Sequence, residues 1–446
     1  MSSLIVSVSG IRGIVGEGLT VEAATAFAAA LGAHTGGGTF VLSRDGRPSG
    51  DVLRQAVIAG LCASGCSVAD IGIAPTPTCG VAVRHLRAGG GVQITASHNP
   101  APWNGLKMFG PDGMVLSAEE GKKVQSLFES GTRRWATWDR LGSVATIADA
   151  DAWHRACILE LTDTAAIRSR RFRVFLDANG GAGGPAGERL LQALGCETVC
   201  RACNADGQFL HEPEPIAENL RDVCPLVARE RCTIGFVLDP DADRLALIDE
   251  TGHYIGEELT LALAVLFRLQ QQRGPVVVNM STSRVVEDIC KRFDCPFSRS
   301  AVGEANVAGL MRQVGAVIGG EGNGGVIDPR VGFVRDPFIG MAQVLSLMAA
   351  TSRPLSALVR DLPAYHIVKD KYQVDRARLL RLFAALPQRW PEAKPNTLDG
   401  LRLDWPDRWV HVRSSNTEPI VRVIAEAPKA EDAEALCREV GGILRG

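Results

Sequence analysis

Three aspartates spaced two residues apart carry the strongest chemical signal in the sequence. Asp239, Asp241 and Asp243 follow the apolar run 235–238 and are followed by Arg244. Clustered carboxylates repel one another unless a cation neutralises them, and Mg²⁺ prefers such hard oxygen ligands. An acidic turn that caps a helix is the alternative, but the residues after Arg244 show a strand pattern instead. We therefore predict a metal site here, with Arg244 pairing either a carboxylate or a substrate phosphate.

The second signal is a serine on a loop that directly follows a predicted strand. The loop reads Thr-Ala-Ser-His-Asn-Pro over 95–100, after the apolar run 91–94. The Ser97 hydroxyl can act as a nucleophile where its surroundings favour the alkoxide or accept its phosphoester. A solvated turn is the alternative, since Ser, Asn and Pro are all turn formers. The adjacent His98 does not imply a Ser-His-Asp triad, because triads are defined by spatial geometry.

Two further polar loops could bind a sugar phosphate. Residues 319–325 contain five glycines in seven, so the chain can approach a ligand closely there, and Glu321 and Asn323 could meet sugar hydroxyls. A flexible hairpin is the alternative, and no P-loop or dinucleotide fingerprint is present. Arg413 precedes three hydroxyl and amide side chains that could form a phosphate cradle with it, namely Ser415, Asn416 and Thr417. The alternative is an ordinary polar loop.

A strand–loop–helix–strand pattern that could position these loops recurs three times. The apolar runs 40–43, 174–177 and 276–279 each lead into a polar loop, an amphipathic stretch and a return strand. Such alternation predicts an α/β fold of three similar domains with mixed sheets, and the tail predicts a smaller C-terminal α+β domain. The expected domains are 1–150 with the serine loop, 151–252 with the aspartate loop, 253–368 with the glycine-rich loop and 369–446 with the Arg413 loop.

Composition narrows the class of protein. The 446 residues have a formal net charge of −2, which gives no overall basic field for nucleic acid or anionic lipid. No apolar run approaches a membrane span and no secretion signal is visible, so we expect a cytoplasmic protein. Among the twelve cysteines, Cys196, Cys200 and Cys203 lie near His211. Their spacing fits buried thiols better than a zinc site.

Taken together and in order, the four loops resemble the α-D-phosphohexomutase superfamily. The likeness extends from the segment Ser-Gly-Ile-Arg-Gly at 9–13 to the Arg413 loop. It implies four domains around a central cleft and an enzyme that interconverts hexose 1- and 6-phosphates through a hexose 1,6-bisphosphate. That bisphosphate would also serve as activator. The expected partner is a small sugar phosphate rather than nucleic acid or membrane, and the enzyme is expected to be a monomer or homodimer.

The resemblance implies a role for each matching residue. Ser97 would be the phosphoserine, and its phosphate would join Asp239, Asp241 and Asp243 in holding Mg²⁺. Arg12 and Lys107 match basic positions near the transferred phosphoryl group, and Lys107 and His98 are candidates for proton transfer. The substrate-binding residues would be Glu321 and Asn323 on the sugar and Arg413, Ser415, Asn416 and Thr417 on the phosphate that is not transferred.

Some residues differ from those that are commoner in the family, and these differences bear on the choice of substrate. The run Asn323-Gly324-Gly325 stands where many relatives carry Ser-Gly-His, while Pro240 and Ala242 replace frequent glycines. Residues 303–307 and the glycine-rich loop 320–325 resemble a branch of the family whose members are phosphoglucosamine mutases or bifunctional phosphomannomutase/phosphoglucomutases. Of these two we favour a phosphoglucosamine mutase and keep the bifunctional enzyme as the alternative. Two remote alternatives are a phosphatase that uses Asp239 as its nucleophile and a sugar-phosphate sensor without turnover.

Overall fold

The computed structural model describes residues 4–374, 376–414 and 420–445. The strands of this part of the chain form four separate sheets, which define domains 1 to 4 in chain order. The predicted architecture of three α/β domains and a smaller α+β domain is therefore confirmed. No helix in the described part of the chain is both long and apolar enough to cross a membrane.

Domain 1 is built on a seven-stranded mixed sheet with the order β1-β2-β6-β5-β3-β4-β7. Thr20 caps the first helix through the Ala23 amide, and Gly36 ends it in the left-handed conformation. The elements are β1 Ile5–Ser7, β2 Gly10–Ile14, α1 Val21–Thr35, β3 Gly38–Arg44, α2 Gly50–Ala63, β4 Cys66–Ile73, α3 Thr76–His85, β5 Gly90–Ile94, β6 Trp103–Phe109, α4 Ala118–Glu129, a short 3₁₀ helix Trp138–Arg140 and β7 Val144–Thr146.

Domains 2 and 3 each have a four-stranded sheet. The domain 2 order is β11-β10-β8-β9 and the domain 3 order is β13-β12-β14-β15. Domain 2 comprises α5 Asp151–Glu160, α6 Thr164–Arg170, β8 Arg173–Asp177, α7 Gly183–Ala193, β9 Glu197–Arg201, α8 Cys224–Arg229, β10 Ile234–Leu238 and β11 Leu245–Ile248. Domain 3 comprises α9 Glu257–Gln271, β12 Val276–Asn279, α10 Val285–Arg292, β13 Phe297–Ser300, α11 Glu304–Val314, β14 Ile318–Glu321, β15 Gly325–Ile327, α12 Pro337–Thr351 and α13 Leu355–Arg360.

Domain 4 is an antiparallel sheet with the order β16-β20-β19-β18-β17, covered by two helices. It has its own apolar core, whereas domains 2 and 3 share one in which α12 packs on α5, α6 and α9. Its elements are β16 His366–Tyr372, α14 Arg376–Arg389, β17 Lys394–Asn396, β18 Leu401–Asp404, β19 Trp409–Ser414, β20 Val421–Ala427 and α15 Ala430–Arg445.

The predicted repeat is present in the first three domains. β3 and β4, β8 and β9, and β12 and β13 are parallel pairs, each joined by one helix. β9 and β13, the return strands of the second and third repeats, begin just after the segments 194–196 and 293–295. Those segments form the turns that follow α7 and α10, with Gly195 and Asp294 at positive φ.

The repeat also extends further than the sequence pattern indicated. Each first strand has a second parallel neighbour, namely β5, β10 or β14. That neighbour is followed by an antiparallel strand, namely β6, β11 or β15. The serine, aspartate and glycine-rich loops therefore occupy the same topological position in their domains, at the carboxyl end of a parallel strand.

Candidate active site

The three loops of domains 1 to 3 meet at one place. Ser97 Oγ in domain 1 lies 3.2 Å from Asp239 Oδ2 in domain 2. The amide of Leu245, just after the aspartate loop, donates a 3.1 Å hydrogen bond to the carbonyl oxygen of Gly324 in domain 3. The chemistry predicted for these loops is thus concentrated in one cluster.

Ser97 is held in an uncommon backbone conformation. Its φ is +50°, in the left-handed region that residues with a Cβ rarely adopt. The residue is only 8% exposed, and its amide donates a 2.8 Å hydrogen bond to Thr95 Oγ1. The conformation points the hydroxyl towards Asp239 and towards His98 Nδ1, which lies 3.3 Å away.

Arg47 fixes this loop, and the sequence analysis did not single it out. Its side chain is 1% exposed and its Nε donates to Asp45 Oδ2 at 3.0 Å. The same carboxylate oxygen accepts from Thr95 Oγ1 at 2.7 Å. The two terminal nitrogens of Arg47 donate to four carbonyl oxygens, at Ser97 (2.7 Å), Asn99 (2.6 Å), Pro100 (2.7 Å) and Trp103 (2.9 Å). The polar run Arg-Asp-Gly-Arg at the carboxyl end of β3 was the available signal.

The three predicted metal ligands are fully buried together. One oxygen from each of Asp239, Asp241 and Asp243 lies within 4.8 Å of the others. Asp239 Oδ1 accepts from the amides of Asp243 and Arg244, both at 3.0 Å, and Asp241 Oδ2 accepts from Thr76 Oγ1 at 2.7 Å.

Two oxygens of this cluster are left without partners. Asp241 Oδ1 and Asp243 Oδ1 are buried and have no hydrogen bond within the described part of the chain. Burial and the charges of Asp241 and Asp243 raise the pKa of Asp239 well above its usual range. A buried carboxylate oxygen without a partner is unfavourable, and a hard divalent cation would satisfy both oxygens and offset the repulsion. The donor set therefore fits such an ion.

Lys107 neutralises part of this charge. Its Nζ lies 2.8 Å from Glu304 Oε2 and 3.1 Å from Asp243 Oδ2. Burial alone would lower the pKa of Lys107, but Glu304 and Asp243 outweigh it and raise the pKa above its ordinary value. Burial would likewise raise the pKa of Asp243, yet Arg335 and Lys107 hold it below its usual range. Lys107 is thus a protonated, fixed cation at neutral pH.

His98 and Arg244 form a pair beside Ser97. Arg244 Nη2 lies 2.9 Å from His98 Nδ1, and Arg244 Nη1 donates to Glu214 Oε1 at 3.2 Å. Since arginine offers only donors, Nδ1 must accept, which leaves the proton of the neutral ring on Nε2. Burial, with the charges of Arg244 and Arg12, holds the pKa of His98 well below its usual range. Arg12 itself donates to Asn99 Oδ1 at 2.8 Å.

The glycine-rich loop places its two polar side chains differently. Glu321 Oε1 accepts from Asn279 Nδ2 at 2.8 Å and from the Gly303 amide at 3.1 Å, while Oε2 accepts from Arg335 Nη1 at 2.9 Å. Asn323 Oδ1 is buried without a hydrogen-bond partner in the described residues. Glu321 is therefore anchored within domain 3, and Asn323 keeps an acceptor for a ligand.

Arg413 is the second-last residue of β19 in domain 4 and is 5% exposed. Its Nε donates to Asp399 Oδ2 at 3.1 Å, and its Nη2 is buried without a partner in the described part of the chain. Asp399 Oδ2 also accepts from the Val302 amide of domain 3 at 2.9 Å. The other predicted phosphate-binding residues, Ser415, Asn416 and Thr417, lie outside the described residues.

The cysteine cluster near His211 does not assemble as a ligand set. The Asp239–Asp241–Asp243 group is the one set of three or more metal-capable side chains within the described ranges. All twelve cysteines are free thiols. Burial raises the pKa of Cys196 to about 12 and also raises that of Cys203, so both are protonated and weak ligands at neutral pH.

Comparison with known proteins agrees with this domain plan. Four family models match in order: the phosphoglucomutase/phosphomannomutase α/β/α domains I, II and III over 4–135, 154–252 and 256–365, and the C-terminal domain over 373–441. A "Probable phosphoglucosamine mutase" of Methanopyrus kandleri is 37% identical over 442 residues, covering 98% of this chain and 97% of the relative. A "Phosphoglucomutase/phosphomannomutase" of Thermococcus kodakarensis is also 37% identical, covering 95% and 94%.

The fold likeness is equally broad. The crystal structure of a phosphoglucomutase/phosphomannomutase family protein from Burkholderia thailandensis matches with a TM-score of 0.87 and 27% identity, covering 99% of this chain and 98% of that one. The chain therefore belongs to the phosphoglucomutase/phosphomannomutase family of α-D-phosphohexomutases and is an enzyme, a mutase of sugar phosphates.

Proposed function

We propose that the enzyme interconverts a hexose 1-phosphate and the corresponding 6-phosphate through a phosphoserine at Ser97. The observation that carries this proposal is the 3.2 Å approach of the Ser97 hydroxyl to Asp239 of the buried aspartate triad. Phosphoryl transfer depends on positioning and charge neutralisation. The cluster supplies both, since the strained serine faces three carboxylates and several fixed cations.

The reaction has two transfers. In the first, the phosphorus–oxygen bond to Ser97 breaks while a bond forms to the free hydroxyl oxygen of the hexose phosphate, and the proton that this hydroxyl loses is balanced by the proton that the Ser97 oxygen gains. The bisphosphate then turns end over end. In the second transfer the phosphorus–oxygen bond between the other phosphate and the sugar breaks while a bond forms to the Ser97 oxygen. The Ser97 hydroxyl loses its proton, the sugar oxygen gains one, and the isomerised monophosphate leaves. Hexose 1,6-bisphosphate would accordingly recharge an unphosphorylated enzyme.

Asp239, Asp241 and Asp243 would hold Mg²⁺, which supplies charge neutralisation for the phosphoryl group when bound. Lys107, Arg12 and Arg244 would face the same group as fixed cations. We assign His98 a positioning role, because its Nδ1 already accepts from Arg244.

Domains 3 and 4 would hold the rest of the substrate. Asn323 has an acceptor without a partner, and Arg413 has a donor without one in the described residues. The former suits a sugar hydroxyl, with Glu321 ordering the loop, and the latter suits the phosphate that is not transferred. Ser415, Asn416 and Thr417 would complete the phosphate cradle. We also propose that the enzyme is cytoplasmic, an expectation that comes from the sequence alone.

For the sugar, we propose glucosamine phosphate, with glucose and mannose phosphates as the alternative substrates. The Methanopyrus kandleri relative bears the name of a phosphoglucosamine mutase. A second support is Glu257, which is 7% exposed and whose Oε1 has no hydrogen-bond partner among the described residues. Burial raises the pKa of Glu257, and the charges of Lys369 and Arg244 oppose this shift. A substrate ammonium group would compensate that carboxylate.

A coupled mutase assay tests the proposal. It compares wild type, Ser97→Ala and the surface control Ser169→Ala with Mg²⁺, catalytic hexose 1,6-bisphosphate and the 1-phosphates of glucosamine, glucose and mannose. We expect isomerisation by wild type and by the control, and loss of most of the rate in Ser97→Ala. Release of inorganic phosphate by Ser97→Ala would instead favour Asp239 as the nucleophile of a phosphatase. Sugar-phosphate binding without turnover by wild type would favour the sensor.

A further inference from the structure

One buried arginine joins the metal loop of domain 2 to the sugar loop of domain 3. Arg335 follows β15 and is 9% exposed. Its Nη2 donates to Asp243 Oδ2, and its Nη1 donates to Glu321 Oε2 at 2.9 Å. Its Nε lies 3.8 Å from Glu304 Oε2. A single planar guanidinium therefore contacts carboxylates on three separate segments.

The contact fixes the orientation of Asp243. Arg335 and Lys107 both donate to Oδ2 of this carboxylate, so that Oδ1 alone has no partner among the described residues. A guanidinium presents its donors in a rigid fork, so it can hold two carboxylates at a set separation, whereas an ammonium acts as a point charge. The relative placement of Asp243 and Glu321 thus depends on the arginine.

The Arg335 side chain lies in the space that a side chain at position 325 would occupy, and residue 325 is a glycine. A Cβ added at Gly325 would lie 2.3 Å from Cδ and 2.8 Å from Cγ of Arg335. Gly325 begins β15 and its φ lies outside the left-handed region, so the backbone itself would accept a side chain. This position is also one at which the sequence departs from the commoner family pattern.

We propose that Arg335 is a positioning residue for phosphoryl transfer, which sets the sugar loop against the metal loop, and that Gly325 lacks a side chain because Arg335 occupies that space. The inference rests on the proposed mutase function. It assigns Arg335 no contact with the substrate. Its effect is transmitted through Asp243 and Glu321, and through the neighbouring backbone hydrogen bond from Leu245 to Gly324.

A double-mutant cycle tests the proposed link between the two positions. Gly325→Ala should displace the Arg335 side chain and lower kcat/KM by about 100-fold, since a misplacement of about 1 Å can cost that much. Arg335→Ala should have a similar effect. Because both changes break the same link, the double variant should be no worse than Arg335→Ala alone. Additive losses, or wild-type kinetics for Gly325→Ala, would overturn the proposal.

Two controls separate positioning from general damage. Gly309→Ala adds a Cβ on α11 at a point where, among the described residues, no heavy atom beyond its own stretch of helix lies within 4 Å, and it should keep wild-type kinetics. Arg335→Lys keeps the charge but lacks the fork, so it should be nearly as inactive as Arg335→Ala while both variants unfold at the wild-type temperature. Full activity in both would contradict the inference.

A second readout needs neither metal nor substrate. Amide hydrogen exchange at Leu245 reports its bond to Gly324, and we expect it to be at least 10-fold faster in Gly325→Ala and Arg335→Ala while exchange in domain 4 is unchanged. Unchanged exchange at Leu245 would refute the link even where activity falls. If wild type isomerises no sugar phosphate, the proposed function fails, but the exchange result still decides whether Arg335 couples the two loops.

Discussion

The guanidinium of Arg47 donates a 2.7 Å hydrogen bond to the carbonyl oxygen of Ser97, from a position fifty residues earlier in the chain. The same group holds the carbonyls of Asn99 and Pro100. These bonds act on a residue whose φ is +50°. A strained backbone persists only where its surroundings over-determine it. Arg47 therefore supplies much of the constraint that aims the Ser97 hydroxyl at Asp239.

Replacing Arg47 should thus reduce turnover more than binding. Arg47→Lys keeps a cation beside the buried Asp45 but cannot reach all of the carbonyls, so the serine loop should relax. We expect kcat to fall by about 100-fold with a much smaller change in KM, because misplacement of a reacting group has that effect. Steady-state kinetics beside the exposed control Arg229→Lys measures this. A parallel rise in KM with unchanged kcat would show that Arg47 serves binding instead.

The aspartate triad predicts a stability order that reverses with metal. Asp241→Asn removes one of the charges that repel Asp239, so in EDTA the variant should melt a few degrees above wild type. With saturating Mg²⁺ the wild type should be the more stable protein, because the bound ion stabilises only the folded state.

Thermal unfolding in the two buffers and Mn²⁺ binding followed by electron paramagnetic resonance check this prediction. Asp241→Asn should bind Mn²⁺ at least 10-fold more weakly. The exposed Asp206→Asn serves as the control and should behave like wild type in both buffers. If Asp241→Asn is less stable than wild type even in EDTA, then the hydrogen bond from Thr76 outweighs the repulsion and the metal argument loses its energetic basis.

The sequence alone was enough to identify the loops whose residue types form a short, recognisable pattern. The alternating aspartates and the serine loop were recognisable because each lies within a few residues of chain, directly after an apolar strand. The repeat of parallel strand pairs was visible for the same reason. The equivalent topological position of the three loops was not visible in the sequence. It depends on the third parallel strand of each domain and on the antiparallel strand that follows it, and the pairing of these strands is set by tertiary contacts.

The residues that sequence reasoning missed act over long chain separations. Arg335 reaches Asp243 across 92 positions, and Arg47 reaches Ser97 across 50. Neither arginine belongs to a motif of its own. A usable signal was their setting, since Arg47 follows a buried strand and Arg335 stands in a largely apolar segment. Charged residues are rarely buried unless paired.

Glu257 should discriminate between amino and hydroxyl sugars. Glu257→Gln keeps the shape but removes the charge that would meet the substrate ammonium, and a hydrogen bond to a charged group contributes about 1.5–3 kcal/mol. We therefore expect kcat/KM for glucosamine 1-phosphate to fall by about 10- to 100-fold, with little change for glucose 1-phosphate. Equal losses for the two sugars would remove Glu257 from sugar recognition and favour the bifunctional alternative.

His411 joins domains 3 and 4 and predicts an acid-sensitive contact between them. Its ring is buried, with Nδ1 3.0 Å from Ser281 Oγ and Nε2 2.6 Å from the carbonyl oxygen of Asp399. The carbonyl requires a proton on Nε2, so the neutral ring satisfies both partners. Burial lowers the pKa of His411 to about 4, with Arg402 and Arg413 acting in the same direction and Asp399 opposing them.

A lowered histidine pKa makes the folded state bind fewer protons than the unfolded state between about pH 4 and pH 6.5. The stability from this site is therefore complete above about pH 6.5 and is lost as the pH falls towards 4, by up to about 3 kcal/mol. Urea unfolding of wild type should show this slope. His411→Gln should flatten it, whereas the exposed His253→Gln should not. The same slope in wild type and His411→Gln would mean that other groups control the acid sensitivity of this interface.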